Sequence, residues 1–119
     1  MSVFTLGPVA SVSEKSGKGY KLDIDGKPLS LMVIAHPDID GGIAAYINRC
    51  PHRGIELNWM PDRFMDLTKE FIQCAMHGAQ FRVSDGLCVS GPCVGQTLEP
   101  VDIEVIDGVM QLTNPEVYR

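Results

Sequence analysis

Residues 20–35 run Tyr20-Lys21-Leu22-Asp23-Ile24-Asp25-Gly26-Lys27-Pro28-Leu29-Ser30-Leu31-Met32-Val33-Ile34-Ala35. The first five alternate apolar with polar side chains, the period of a strand with one face turned inward. Asp25-Gly26 suits the tight two-residue turn of a hairpin, and residues 29–35 resume as an apolar strand, so the stretch reads as a β-hairpin. The same pattern recurs downstream. Residues 80–83 and 86–89 flank Ser84-Asp85-Gly86, a second hairpin signal, and Ser90-Gly91-Pro92 follows as a loop. Val101-Asp102-Ile103-Glu104-Val105-Ile106 alternates cleanly, Asp107-Gly108 turns, and residues 109–112 return, which makes a third hairpin.

Upstream, residues 3–12 read as an edge strand interrupted at Gly7-Pro8, and residues 13–19, rich in Ser, Gly and Lys, read as a loop. The strand of the first hairpin stops at His36-Pro37. A turn-rich Asp38-Ile39-Asp40-Gly41-Gly42 leads into Ile43-Ala44-Ala45-Tyr46-Ile47, a strand that delivers the chain to Cys50. Helical periodicity is nearly absent; only residues 61–70 allow a turn or two of helix. Six or more short strands joined by tight turns give an all-β fold, an antiparallel sandwich or small barrel.

The chain has 119 residues, 45% of them apolar and 21% charged, enough for a single core and so for one domain over residues 1–119. A net charge of -5 argues against nucleic acid as partner, because phosphate binding needs clustered Lys and Arg. A basic protein partner suits it better. The N-terminus has no basic region before its apolar residues, and no apolar run approaches the ~18 residues of a membrane span, so the expected location is the cytoplasm, with no membrane partner. In that reducing setting the four cysteines point to metal binding more than to disulfides.

Two segments carry the chemistry: Cys50-Pro51-His52-Arg53-Gly54 and Cys74-Ala75-Met76-His77-Gly78. Each offers a thiolate and an imidazole, followed by a glycine that allows a tight turn. The mixed donor set suits zinc, and it equally suits an iron-sulfur cluster in which two His replace two Cys on one iron. Structural zinc sites usually pair like ligands, with the His pair on a helix; here the types alternate and the flanks read as strands. A cluster with two unlike irons needs a thiolate pair and an imidazole pair. Cys50 with Cys74, and His52 with His77, supply them.

These segments, with Ala79-Gln80-Phe81 and the Ser90-Gly91-Pro92 turn, resemble the two ligand loops and the proline loop of Rieske 2Fe-2S proteins. The match covers roughly residues 43–92, and the family's antiparallel sheets agree with the hairpins around it. The resemblance implies a Rieske-type 2Fe-2S cluster bound by Cys50, His52, Cys74 and His77. It also implies a cluster-binding part, about residues 48–93, inserted in a β base.

Two departures from the family pattern bear on the reduction potential. Respiratory members carry an extra Cys in each ligand loop, joined as a disulfide; Ile55 or its neighbours and Met76 stand here, so that bridge is impossible. Members of high potential place a Ser and a Tyr where this chain has Ala79 and Phe81, and their hydroxyls donate to cluster and cysteine sulfur. Donors to sulfur stabilise the reduced cluster, so their loss lowers the potential. The His-ligated cluster carries less negative charge than an all-Cys one, so the expected potential lies above all-Cys ferredoxins, in the lower part of about -150 to +300 mV. Two His ligands also predict a potential that falls as pH rises in the alkaline range.

Three smaller features complete the reading. Cys88 and Cys93 bracket the proline loop either as a disulfide or redox pair or, the favoured reading, as two small, partly buried thiols in strand ends. His36, before Pro37 at a strand end, is expected to be a structural or surface His. Trp59, Met60, Phe64, Met65 and Leu67 would pack the long link between the boxes against its sheet or present a docking surface.

The resemblance implies a one-electron carrier without a substrate-converting site of its own. The expected role is a ferredoxin taking an electron from a reductase and passing it to an oxygenase or similar enzyme. Oxygenase catalytic subunits add a mononuclear iron held by two His and a carboxylate; with His52 and His77 committed, only His36 remains here. The alternatives are the small Rieske-like subunit of a larger reductase, such as nitrite reductase, and a zinc-stabilised binding module.

Overall fold

The computed structural model describes residues 3–24, 26–39, 41–49, 57, 64–66, 68–74 and 78–113. Their strands are β1 (Val3–Pro8), β2 (Ser16–Ile24), β3 (Lys27–Ala35), β4 (Ile43–Ile47), β5 (Phe71–Gln73), β6 (Gln80–Arg82), β7 (Cys88–Ser90), β8 (Pro100–Val101), β9 (Ile103–Ile106) and β10 (Val109–Thr113). Among the described residues they form three antiparallel sheets, ordered β1-β10-β9, β2-β3-β4-β8 and β5-β6-β7. The expected all-β antiparallel architecture is what the chain adopts.

The middle sheet is shared between two cores, and the reason is written in β3. Leu31, Val33 and Ala35 join Ala45, Ile47, Val101, Met110 and Leu112 in one core. Met32 and Ile34 join Tyr46, Phe64, Ile72, Phe81 and Leu98 in the other. Because side chains alternate across a strand, a strand buried on both faces must be continuously apolar, as residues 31–35 are. Each of these fully buried aliphatic side chains contributes roughly 1.5–3 kcal/mol of transfer free energy. The β5-β6-β7 sheet is thereby held against one face of the middle sheet, and β9-β10 against the other.

Two turns follow the sequence closely. In the first hairpin Ile24 pairs with Lys27, leaving a two-residue connection in which Gly26 has φ +85°; Asp25 lies outside the described residues. Asp107 and Gly108 both have positive φ, 53° and 78°, as a type I′ turn demands.

Elsewhere the structure departs from the sequence expectation. β1 stops at Pro8, and Val9–Ser11 form a 3-10 turn. Residues 16–19, read as loop, are the first part of β2. Gly17 is there because a Cβ would lie 2.7 Å from Ile34 Cδ1 and 3.1 Å from Phe64 Cδ2, so glycine marks close packing and not a turn. The alternating run 101–106 is two strands: Val101 pairs with β4, the chain changes sheets at Asp102, and β9 pairs with β10. Thr113 donates its backbone N–H and its hydroxyl to Asp102 O at that crossing.

The possible helix over residues 61–70 is not formed in its described part. Met65 makes a β-bridge with Ile72, and the Asp66 carboxylate accepts from Thr68 Oγ1 and from the N–H groups of Glu70 and Phe71. That side chain offers the backbone an alternative to helical pairing, and it folds the chain into β5, a strand the sequence reading missed.

Candidate metal centre

Of the four candidate ligands, Cys74 falls within the described residues; Cys50, His52 and His77 lie outside them. Cys74 directly follows β5 and is fully buried, at 0% exposure, in the core it shares with Ala79, Phe81, Cys88 and Cys93. Its N–H donates to Ala79 O at 2.8 Å, and its carbonyl accepts from Gly78 N–H at 2.9 Å. These bonds close the chain on itself around the second Cys-His segment. Gly78 makes that closure possible with φ +70°, a conformation most side chains resist.

The proline loop presses directly on this closure. A Cβ at Gly91 would lie 2.7 Å from Ala79 Cα and 3.1 Å from Ala79 Cβ, and Gly91 has φ +103°. A residue larger than glycine therefore has no room there. Tyr46, whose buried ring packs under Gly86, donates its hydroxyl to Val83 O at 3.0 Å and ties the middle sheet to the β6-β7 hairpin. Burial first, and the nearby Asp85 carboxylate second, push the Tyr46 phenol up to about 12. It stays a protonated donor across the ordinary pH range.

The approach to the first segment is held by a residue that the sequence reading passed over. Asn48, buried at the end of β4, accepts the Leu57 N–H on Oδ1 at 2.9 Å, while its own N–H donates to Ser30 O. It clasps the two sides of the segment containing Cys50 and His52. The link between the boxes is fastened likewise: Gln80 Nε2 donates to Asp66 Oδ2 at 3.0 Å, and Gln73 N–H to Phe64 O at 2.8 Å. The available signals were Asn48 standing two residues before a candidate ligand and Asp66-Leu67-Thr68, a side-chain turn pattern read as helix. Phe64 is buried and Met65 packs on the same core, as the packing reading expects; Trp59, Met60 and Leu67 lie outside the described residues.

His36 is buried and structural, as expected. Its Nδ1 accepts the Asp38 N–H at 3.0 Å, which leaves the proton on Nε2, donated to Lys69 O and Glu70 Oε2, each at 3.1 Å. Asp38 and Glu70 complete a cluster whose potential ligand atoms lie within 4.8 Å of one another. The hydrogen bonds already engage both ring nitrogens, so the cluster is explained as a clasp between the end of β3 and the link. A hydrogen bond from Lys15 above all, with the positive charge of Lys15, holds the Glu70 carboxyl below its usual range.

The residues present fit an iron-sulfur cluster. The donor set mixes thiol and imidazole, its described thiol is excluded from water, and the backbone around that thiol is closed by paired hydrogen bonds and a close glycine contact.

Comparison with known proteins agrees with this fit. The family model described as Rieske [2Fe-2S] domain matches residues 3–109. The 3-chlorobenzoate-3,4-dioxygenase oxygenase subunit of Comamonas testosteroni is 31% identical over 83 residues, covering 65% of this chain and 18% of that protein. Among solved structures, Sphingomonas yanoikuyae B1 ferredoxin superposes with a TM-score of 0.69 at 24% identity, covering 96% of this chain and 100% of its own. The ferredoxin of carbazole 1,9a-dioxygenase from Nocardioides aromaticivorans IC177 gives 0.68 at 20% identity, covering 94% and 97%. The terminal oxygenase of carbazole 1,9a-dioxygenase from Novosphingobium sp. KA1 gives 0.67 at 23% identity, covering 92% of this chain and 29% of the oxygenase. The chain thus spans under a third of either oxygenase polypeptide. At these identities the structural likeness shows a shared fold.

Proposed function

The chain belongs to the Rieske [2Fe-2S] domain family, and we propose that it is a one-electron carrier, the ferredoxin component of an oxygenase or related redox system. The observation that carries this reading is the match of the Rieske [2Fe-2S] domain model to residues 3–109, joined by a buried ligand-loop thiol at Cys74 and a fold shared with two ferredoxins. Residues 1–119 form one domain in this reading, with the cluster-binding part at about 48–93 built on the β5-β6-β7 sheet.

Cys50 and Cys74 would hold one iron and His52 and His77 the other. When bound, the cluster takes up and returns a single electron. The chain's own residues set the terms of that exchange. The burial of Cys74 keeps water from its sulfur. Ala79 and Phe81, both fully buried, bring no hydroxyl to the second loop, which keeps the potential in the lower part of the family's range. The Asn48 side-chain oxygen fastens the first segment by accepting the Leu57 N–H, and the Asp66 carboxylate fastens the link before the second by accepting the Glu70 N–H. The partners are a reductase donor and an oxygenase or reductase acceptor, and the net charge of -5 suits a basic docking face. The setting proposed is the cytoplasm, where a reducing environment keeps ligand thiols from pairing as disulfides. Among the described residues no helix is long and apolar enough to cross a membrane.

The identity to an oxygenase subunit favours a second reading, in which the same domain is the electron-entry module of an oxygenase. Anaerobic reduction by a ferredoxin reductase, followed in the visible spectrum, and re-oxidation on mixing with an oxygenase tests the first. Bleaching and recovery support it. A protein without visible absorption overturns it, and a reduced protein that no added oxygenase re-oxidises selects the second reading.

A further inference from the structure

Cys88 and Cys93 are not used by the carrier mechanism, yet they are the most closely juxtaposed reactive pair among the described residues. Cys93 Sγ donates to Cys88 Sγ at 3.1 Å, and Cys88 Sγ donates to Ser90 O at 3.2 Å; each residue is 1% exposed. The backbone frame around them is fixed: Cys88 N–H donates to Gln96 O, Gly95 N–H to Cys88 O and Gln96 N–H to Cys93 O. We propose that the pair is a reversible dithiol–disulfide couple, oxidised by small disulfides of the glutathione class, and that its state is felt at the second ligand loop.

A disulfide bond is about 2.05 Å long, so the sulfurs need to approach by only ~1 Å, within reach of side-chain torsions and without rebuilding the frame. The chemistry balances as thiol–disulfide exchange. One cysteine thiolate attacks the small disulfide and releases one small thiol; the second then attacks the mixed disulfide at the protein sulfur and releases the other. The two cysteines lose two electrons and two protons, and the small disulfide gains them. The sulfurs are buried, but the turn above them is at the surface, with Val89 and Val94 exposed at 41% and 62%, so opening of that turn admits the oxidant.

The same turn carries Gly91 against Ala79, and Ala79 O accepts the Cys74 N–H. A Cys88–Cys93 bond therefore spans and restrains the turn that presses on the residue closing the second loop. This coupling rests on the carrier reading; the thiol chemistry does not.

The test uses the full-length holoprotein, equilibrated anaerobically in buffers of reduced and oxidised glutathione, quenched in acid, alkylated and digested with trypsin. The sequence places no Lys or Arg between Arg82 and Arg119, so one peptide, residues 83–119, carries Cys88 and Cys93 without Cys50 or Cys74. The expected product is that peptide unalkylated and lighter by two hydrogen atoms. Its fraction should rise from about a tenth to nine tenths over roughly a hundredfold range of oxidised over squared reduced glutathione. The visible circular dichroism of the oxidised cluster should change in step. Cys93→Ser, close to isosteric, should abolish the mass loss.

A peptide that stays doubly alkylated, or that accumulates with bound glutathione, overturns the couple. Disulfide formation with an unaltered cluster spectrum overturns the coupling. Disulfide formation in a colourless protein sustains the couple while sinking the carrier reading.

Discussion

Gly91→Ala is the substitution whose effect the structure determines most fully. The backbone at Gly91 has φ +103°, where an L residue costs of order 1–3 kcal/mol. The new Cβ would stand 2.7 Å from Ala79 Cα, about 1 Å inside the optimal carbon–carbon separation, and the obstacle is backbone, which cannot swing aside. Relieving such overpacking costs a further 1–3 kcal/mol or so. The stiffer unfolded chain returns about 0.4–1 kcal/mol. The net loss is roughly 2–5 kcal/mol, a large share of the roughly 5–15 kcal/mol that stabilises a domain. Gly95→Ala supplies the control: φ is +93° there, but nothing lies within 4 Å of the added carbon, so only the backbone cost applies. Thermal melts of the two variants, followed by circular dichroism, should show Gly91→Ala lower in Tm by at least about 4 °C, the shift expected from an extra 1 kcal/mol or more. The visible spectrum should change in Gly91→Ala alone. Equal melting temperatures and unaltered spectra for both would refute the close contact between the proline loop and Ala79.

Other outcomes follow from the same geometry. Ala79→Ser and Phe81→Tyr, singly or together, should move the midpoint potential upward within the span of about -150 to +300 mV by offering donors to sulfur; a redox titration showing no rise would remove that explanation. Asn48→Ala leaves the buried Leu57 N–H without its acceptor and should lower unfolding free energy by about 1–3 kcal/mol in urea titrations. The Tyr46 phenol is raised from its unfolded value of 10.0 to about 12, so the folded state holds its proton longer. Its stabilising effect is complete below the unfolded value and is lost as pH rises through that window. Tyr46→Phe should therefore be less stable than wild type at neutral pH, with the gap narrowing between about pH 10 and 12; a gap independent of pH would contradict it.

Much of the β framework is legible in the sequence because its signals are local. Asp107-Gly108 specifies its turn through two positive-φ positions, and the apolar run 31–35 specifies a strand through composition. What sequence missed depends on distant contacts. Gly17 looks like a loop residue until Ile34 and Phe64 are seen above it. The alternating run 101–106 gives no hint that its halves pair with different sheets, since alternation describes faces and not partners. Asp66 reads as a helix residue until its carboxylate gathers the amides of residues 70 and 71. At the candidate centre, residue type and spacing named four candidate donors, and the structure buries one of them, Cys74, with its N–H bonded to Ala79 O. The clasp by Asn48 was easily passed over, because an Asn after a strand most often marks only a turn and its place two residues before Cys50 was the sole signal.

Cys50, Cys74, His52 and His77 would together hold a 2Fe-2S cluster with unlike irons. Pulsed EPR of the anaerobically reduced protein, together with iron and acid-labile sulfide analysis, tests it most directly. The expected result is two irons and two sulfides per chain and nitrogen couplings from two imidazoles, one of which disappears in His52→Cys and in His77→Cys. Zinc in place of iron, or a reduced cluster with no nitrogen coupling, would contradict it.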